Sequence, residues 1–223
     1  MATSIDASGI TYPDTSYQTT RFDKTDDLGQ LISISSYVVA GTYTWTRPTG
    51  CTKISVKVVG GGGGAAGYTE SGGAGGFAEK NNIDVTSVAS VTVTIGGGGG
   101  AVGYYAAGGQ GGTSSFGGYC SATGGYGANQ NYTHTGGHGG APSGGDINLY
   151  GSGGTGHGNS MGQGAVSRGG ETFWGGSAGT FRANNGGRFA TGAPGTGGPG
   201  APTGSGAAGG VGTTGCVMVW EYR

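Results

Sequence analysis

Residues 204–222 read GSGAAGGVGTTGCVMVWEY, and two periods meet inside that stretch. Glycines fall at 206, 209, 212 and 215, a step of three. From Cys216 the residues Cys-Val-Met-Val-Trp-Glu-Tyr read instead as a β-strand. A step of three is the repeat of an extended threefold helix, which rises ~3.1 Å per residue and makes no internal hydrogen bonds. If every third residue is glycine, one edge of such a helix carries no side chain. Bare edges let backbones approach until N–H groups of one segment meet C=O groups of the next, which satisfies groups that burial would otherwise orphan.

Working outward, the same step recurs at Gly192, Gly195 and Gly198. Doublets repeat at it too: Gly72-Gly73 with Gly75-Gly76, Gly108-Gly109 with Gly111-Gly112, Gly136-Gly137 with Gly139-Gly140. Residues 60–215 hold 56 of the 60 glycines in the 223-residue chain. Collagen is excluded, because it needs glycine at every third position without a break and abundant proline, and only 6 residues are proline. A glycine–serine tether is a poor match as well, since Tyr, Trp, Phe, His and Asn are interleaved. Ordering glycine costs more backbone entropy than ordering any other residue, so only many simultaneous bonds and anchoring at the ends can hold such a slab.

The anchors are strands scattered along the chain. Thr42–Thr46 alternates, Ser90–Ile95 alternates, and Thr52–Val59 puts Ile54, Val56 and Val58 on one face with Lys53, Ser55 and Lys57 on the other. Residues 76–80 and 83–85 form a further candidate. Each buried Val or Ile contributes ~1.5–3 kcal/mol, enough for a dozen to hold a small sandwich. The expected fold is therefore all-β plus polyglycine II, with essentially no α-helix. A small antiparallel β-sandwich (strands near 42–59, 76–95 and 216–222) carries an inserted bundle of layered polyglycine II helices, with exposed loops, in 60–215. Residues 1–40, with only Gly9 and Gly29, form a separate N-terminal connector too small for its own core. Ile10, Tyr12, Leu31, Ile32 and Ile34 are its candidate attachment residues. Residues 41–223 form the glycine-rich domain.

Charge excludes some partners. The net charge is −1, with five basic residues in 1–57 and five in 58–223, and no basic stripe suited to nucleic acid. No apolar run approaches the ~18–20 residues of a membrane span, and the start lacks the basic-then-apolar pattern of a secretion signal, so no membrane insertion and synthesis in a cytoplasm are expected. Cys51, Cys120 and Cys216 lack metal or redox spacing and read as free buried thiols, with one disulfide plus a spare thiol as the alternative.

The run TYTWTRPTGCTKISVKVVGGGGG, then GGAGGFAEK, SVASVTVTIGGGGG, GGTSSFGG and GGVGTTGCVMVWEY, resembles the glycine-rich domain of bacteriophage tail-fibre proteins. It is also similar to the distal receptor-binding adhesins of T-even-like phages. The resemblance spans roughly 41–223. It implies layered polyglycine II helices, exposed loops that touch a host receptor, and a place on the virion at a fibre or tail tip. ASGITYPDTSYQTT is similar to a stretch common in phage fibre proteins, which implies attachment of residues 1–40 to another tail or fibre protein. The longer anchoring domain of the T-even adhesins has no counterpart here. Both a homotrimer and a single copy on a shaft remain open.

Catalytic chemistry is not expected. G-x-G-x-x-G occurs at Gly195, Gly197 and Gly200, but no helix pattern follows and no Gly-Lys dipeptide exists, so no nucleotide or other cofactor is expected. His134 and His138 stand four apart without a helix to align them, so no metal is expected either. Binding fits better: rigid scaffolds displaying aromatic and amide loops make recognition surfaces at low entropy cost. Where the glycine phase breaks, the candidate receptor residues are Tyr104, Tyr105, Asn129, Tyr132, His134, Tyr150, Trp174, Phe181 and Arg182. Packing against the bundle is the competing role for Phe116, Phe173, Trp174 and Phe189. The expected function is a non-enzymatic virion adhesin for a bacterial surface receptor, an outer-membrane protein or a glycan. The alternative is a structural tail or capsid accessory protein. Ice binding is a third class, disfavoured by the bulky interruptions.

Overall fold

The structure is a computed structural model, and it describes residues 4–6, 9–11, 17–18, 29–66, 70–102, 106–129, 135–156, 167–177, 179–180, 192–201 and 209–223. Near the start, β1 (Ser4–Asp6), β2 (Gly9–Thr11) and β3 (Tyr17–Gln18) form a three-stranded antiparallel sheet. Then follow β4 (Leu31–Tyr37), β5 (Gly41–Thr46), β6 (Lys53–Val59), β7 (Phe77–Asp84), β8 (Ser90–Ile95), β9 (Ser114–Phe116) and β10 (Cys120–Ala122). The remaining strands are β11 (Pro142–Ser143), β12 (Ile147–Leu149), β13 (Ser167–Arg168), β14 (Gly179–Thr180) and β15 (Cys216–Tyr222). Two five-stranded antiparallel sheets, ordered β11-β10-β9-β8-β5 and β12-β7-β6-β15-β4, make the sandwich, and no helix occurs among the described residues.

Burial follows the period-two reading. Ile54, Val56 and Val58 are buried and Lys53 is exposed, and Val217 and Val219 are buried beside them. Trp45, Phe116, Val91 and Val93 from the other sheet complete the core. The closing strand pairs along its whole length with β6, from Cys216 opposite Val59 to Tyr222 opposite Lys53. The candidate made of residues 76–80 and 83–85 is the strand Phe77–Asp84, with an irregularity in its middle. The strand β4, which the sequence assigns to the connector, pairs with β15 and forms the sheet's edge. All three cysteines are free and buried.

Between the strands, the glycine-rich segments bond to one another mainly through main chain. Gly60, Gly63 and Ala66 donate to Gly76, Gly73 and Glu70; Gly61 and Gly64 donate to Gly112 and Gly109; Gly62 and Ala65 donate to Thr213 and Gly210. Every third residue thus addresses the same neighbour. Segment 60–66 is ringed by 70–76, 123–129, 106–112, 96–102, 209–215 and 195–201, each bonded to the next around the ring. Segment 70–76 is ringed likewise by 60–66, 123–129, 135–141, 150–156, 167–172 and 195–201. Ten described segments therefore form a hexagonal array in rows of three, four and three, with 96–102, 60–66, 70–76 and 150–156 as the middle row.

The close approach requires glycine. A Cβ on Gly62 would fall under 3.0 Å from the carbonyl of Thr196, and one on Gly72 equally close to the carbonyl of Gly63. Main-chain oxygen stands where side chains would be, so the interior of the slab is backbone.

Candidate functional site

Strand order sets which end of the array does what. The segments 60–66, 96–102, 123–129 and 150–156 each follow directly on a strand, β6, β8, β10 and β12. They return as 70–76, 106–112, 135–141 and 167–172, and a fifth pair, 195–201 and 209–215, returns into β15. Each pair is antiparallel, as in Gly60 to Gly76 and Ala66 to Glu70, or Thr123 to Ala141 and Asn129 to Thr135. The far ends 66/70, 102/106, 129/135, 156/167 and 201/209 accordingly share one face, opposite the sandwich.

Polar side chains lock the distal level. Ser71 hydrogen-bonds Ser167, and the Gly200 N–H donates to the hydroxyls of both, at 3.1 and 2.9 Å. Glu70 is fully buried beside them. Asn129 exchanges backbone bonds with Thr135 and stands exposed on this face. The sequence reading passed over Ser71 and Ser167; their signal was two serines breaking the glycine phase at the start of returning segments.

Of the other expected receptor residues, Tyr104, Tyr105, Tyr132, His134, Phe181 and Arg182 lie outside the described residues. Phe181 directly follows Thr180, whose backbone pairs with Ser167 of the distal level. Tyr150 is highly exposed, at 76%, but it follows β12 and so stands at the sandwich end. Trp174 is also at that end, half-buried against Val59, Phe77 and Cys216. Phe173 stacks on Phe77 with centroids 4.2 Å apart and meets Trp174 edge-on. The Lys57 ammonium lies 5.4, 5.7 and 5.0 Å from the rings of Phe173, Trp174 and Trp220 and 3.6 Å from Glu79. Attraction between a cation and aromatic faces pins this turn to the sheet. Tyr150 and Trp174 therefore belong to the junction and not to the far face. Phe116 is fully buried in the sandwich core.

Burial pushes the Cys216 thiol up to about 11, and the nearby Trp174 indole N–H pulls it back slightly. That N–H makes no hydrogen bond of ordinary length, so it acts only as a weak electrostatic neighbour. The candidate attachment residues Leu31, Ile32 and Ile34 are exposed along β4, while Ile10 lies in β2 and Tyr12 lies outside the described residues. Ser33 and Ser35 on the same strand donate to the buried Glu221 carboxylate, which also accepts the Trp45 indole N–H at 2.8 Å. Sequence phase held this clue: Glu221 shares the inward parity of Val217 and Val219. Among the described residues, no group of three or more His, Cys, Asp or Glu is arranged to hold a metal ion.

Threefold main-chain bonding runs through the described segments between residues 60 and 215 and is closed by a terminal strand, and residues 37–222 match the family described as a glycine-rich domain. The chain belongs to that family. The matched region of the glycine-rich domain begins at Tyr37, the last residue of β4, and ends at the last residue of β15, so it takes in all ten segments and both five-stranded sheets except the rest of the edge strand β4. Comparison with curated proteins gives no match.

Proposed function

We infer that the glycine-rich segments are polyglycine II helices and that this chain is a phage tail-fibre or tail-tip adhesin. It recognises a bacterial surface receptor, an outer-membrane protein or a glycan, through loops carried on the far face of the array. The supporting observation is that all five segment pairs turn back on the face opposite the sandwich. The stretches joining those ends are short, and by sequence they carry Tyr68, Tyr104, Tyr105, Tyr132 and His134. Aromatic side chains on a rigid base give contact area with little loss of rotamer entropy. Residues 1–40, with Leu31, Ile32 and Ile34 exposed, mount the chain on another tail or fibre protein, and the chain reaches the virion from the host cytoplasm.

The test is adsorption. Purified protein is incubated with a panel of bacterial strains, and cell-bound protein is measured for the wild type and for variants with 103–105 or 130–134 replaced by Gly-Ser of equal length. The expected result is strain-selective binding that the replacements abolish or redirect while the melting temperature stays put. A wild type that binds no strain supports a structural accessory role, and replacements without effect refute the loops.

A further inference from the structure

At the pole of the sandwich farthest from the array, the second sheet is interrupted twice. Between Ile54 and Val56 the strand β7 gains one residue, so that Ile83 and Lys80 are the partners and Asn81-Asn82 bulge. Asn82 sits in the left-handed region at φ 55°, the one non-glycine residue there among those described. Between Glu221 and Tyr222 the partner strand β4 gains one residue, Ile32. Bulges and left-handed non-glycine residues cost energy, and they are enriched where side chains are re-aimed at a ligand.

These interruptions border a cavity of about 450 Å³ lined by Lys53, Ser55, Asn81, Asn82, Tyr222 and Arg223. That volume lies in the range of small-ligand pockets. The lining is braced. The Asn81 N–H donates to Asp146 at 2.8 Å, and Asp146 is held by Lys80 at 3.0 Å. The Arg223 backbone bonds both Gly29 and Gln30. Two carboxamides and a serine hydroxyl offer donors and acceptors together, which suits a polyol. Tyr222 offers an aromatic face for apolar C–H groups. Lys53 and Arg223 make no ion pair among the described residues, and a guanidinium matches a carboxylate.

We propose that this pocket binds a carboxylate-bearing saccharide, a uronic acid residue or its oligomer. The Asn81, Asn82 and Ser55 side chains take the ring hydroxyls, and Arg223 with Lys53 takes the carboxylate. The site is independent of the far-face loops: β6 spans about 20 Å at ~3.3 Å per residue, and the array adds a similar length beyond it. Its success or failure leaves the adhesin reading untouched.

The experiment is a titration of the full chain with D-glucuronate, D-glucose and acetate, followed by amide chemical shifts and repeated on Arg223→Gln, Lys53→Gln and Asn82→Gly. Expected are saturable shifts at Asn81, Asn82 and Tyr222 with glucuronate. Glucose should bind at least fivefold more weakly, and acetate should not saturate. Arg223→Gln and Asn82→Gly should each weaken glucuronate at least fivefold, with melting temperatures confirming folded variants. No saturation by glucuronate, an equal response to acetate, an equal response to glucose, or unchanged binding in the variants overturns the proposal.

Discussion

Replacing Gly62 by Ala should break the array from its centre, because the new Cβ meets the carbonyl of Thr196 in the adjoining row. No side chain can move aside there, since the obstacle is backbone. Segments 60–66 and 195–201 must separate, which strains the bonds from Gly62 N–H to Thr213 at 2.9 Å, from Gly99 N–H to the Gly62 carbonyl at 2.8 Å, and from Gly198 N–H to Gly63 at 2.9 Å. Leaving a buried polar group unsatisfied costs about 1–3 kcal/mol, so three such bonds come to roughly 3–9 kcal/mol at most. The lower chain entropy of the unfolded alanine variant returns only about 0.4–1 kcal/mol. Against a total of about 5–15 kcal/mol for a typical domain, that is a large fraction. The control is Gly100→Ala, where a Cβ meets nothing within 4 Å and the backbone is not left-handed. Gly100→Ala should be neutral or slightly stabilising. Urea unfolding followed by circular dichroism, with amide exchange of 60–76, gives both numbers. Variants within 1 kcal/mol of each other would refute a core built of main chain.

Two other perturbations test the sandwich. Glu221→Ala leaves the Ser33 and Ser35 hydroxyls and the Trp45 indole N–H without their shared acceptor, so a loss of about 2–4 kcal/mol and faster amide exchange in β4 are expected; unchanged exchange would show that β4 is held without the carboxylate. Burial pushes the Cys120 and Cys216 thiols up to about 11, against about 8.5 in an unfolded chain. Since the folded values are raised, their contribution is fully present below pH 8.5 and is lost as pH climbs toward 11, at about 1.4 kcal/mol per pH unit per thiol. Urea midpoints should therefore fall between pH 9 and 10.5, and a Cys120→Ala, Cys216→Ala double variant with the same slope would assign that fall to other groups.

Much of the fold is legible in local pattern. Ser90–Ile95 and Cys216–Tyr222 are strands over the residues their alternation marks, because a strand's faces are set by period two and need no knowledge of the partner. Asn81-Asn82 carries no such mark, since a bulge arises only when two strands of fixed register are forced to fit. The mixed fate of the aromatic candidates has the same origin. Phase breaks at Asn129, Tyr150 and Trp174 look alike in sequence, yet Asn129 stands on the far face while Tyr150 and Trp174 stand beside the strands. Which end a break occupies depends on how far along its segment it lies from the strand: Asn129 comes seven residues after Ala122, the end of β10, whereas Tyr150 comes directly after Leu149, the end of β12.

By itself, then, the amino-acid order determined where chain segments have bare edges and which strands can close around them, because both follow from side-chain size and spacing along one stretch. The tertiary structure decided which segments became neighbours, that 60–66 and 70–76 lie at the centre, and which breaks face outward together. Glycine segments are nearly interchangeable as partners, since every one offers the same N–H and C=O groups. Only the strands at their ends, fixed by side-chain packing in the sandwich, select one arrangement.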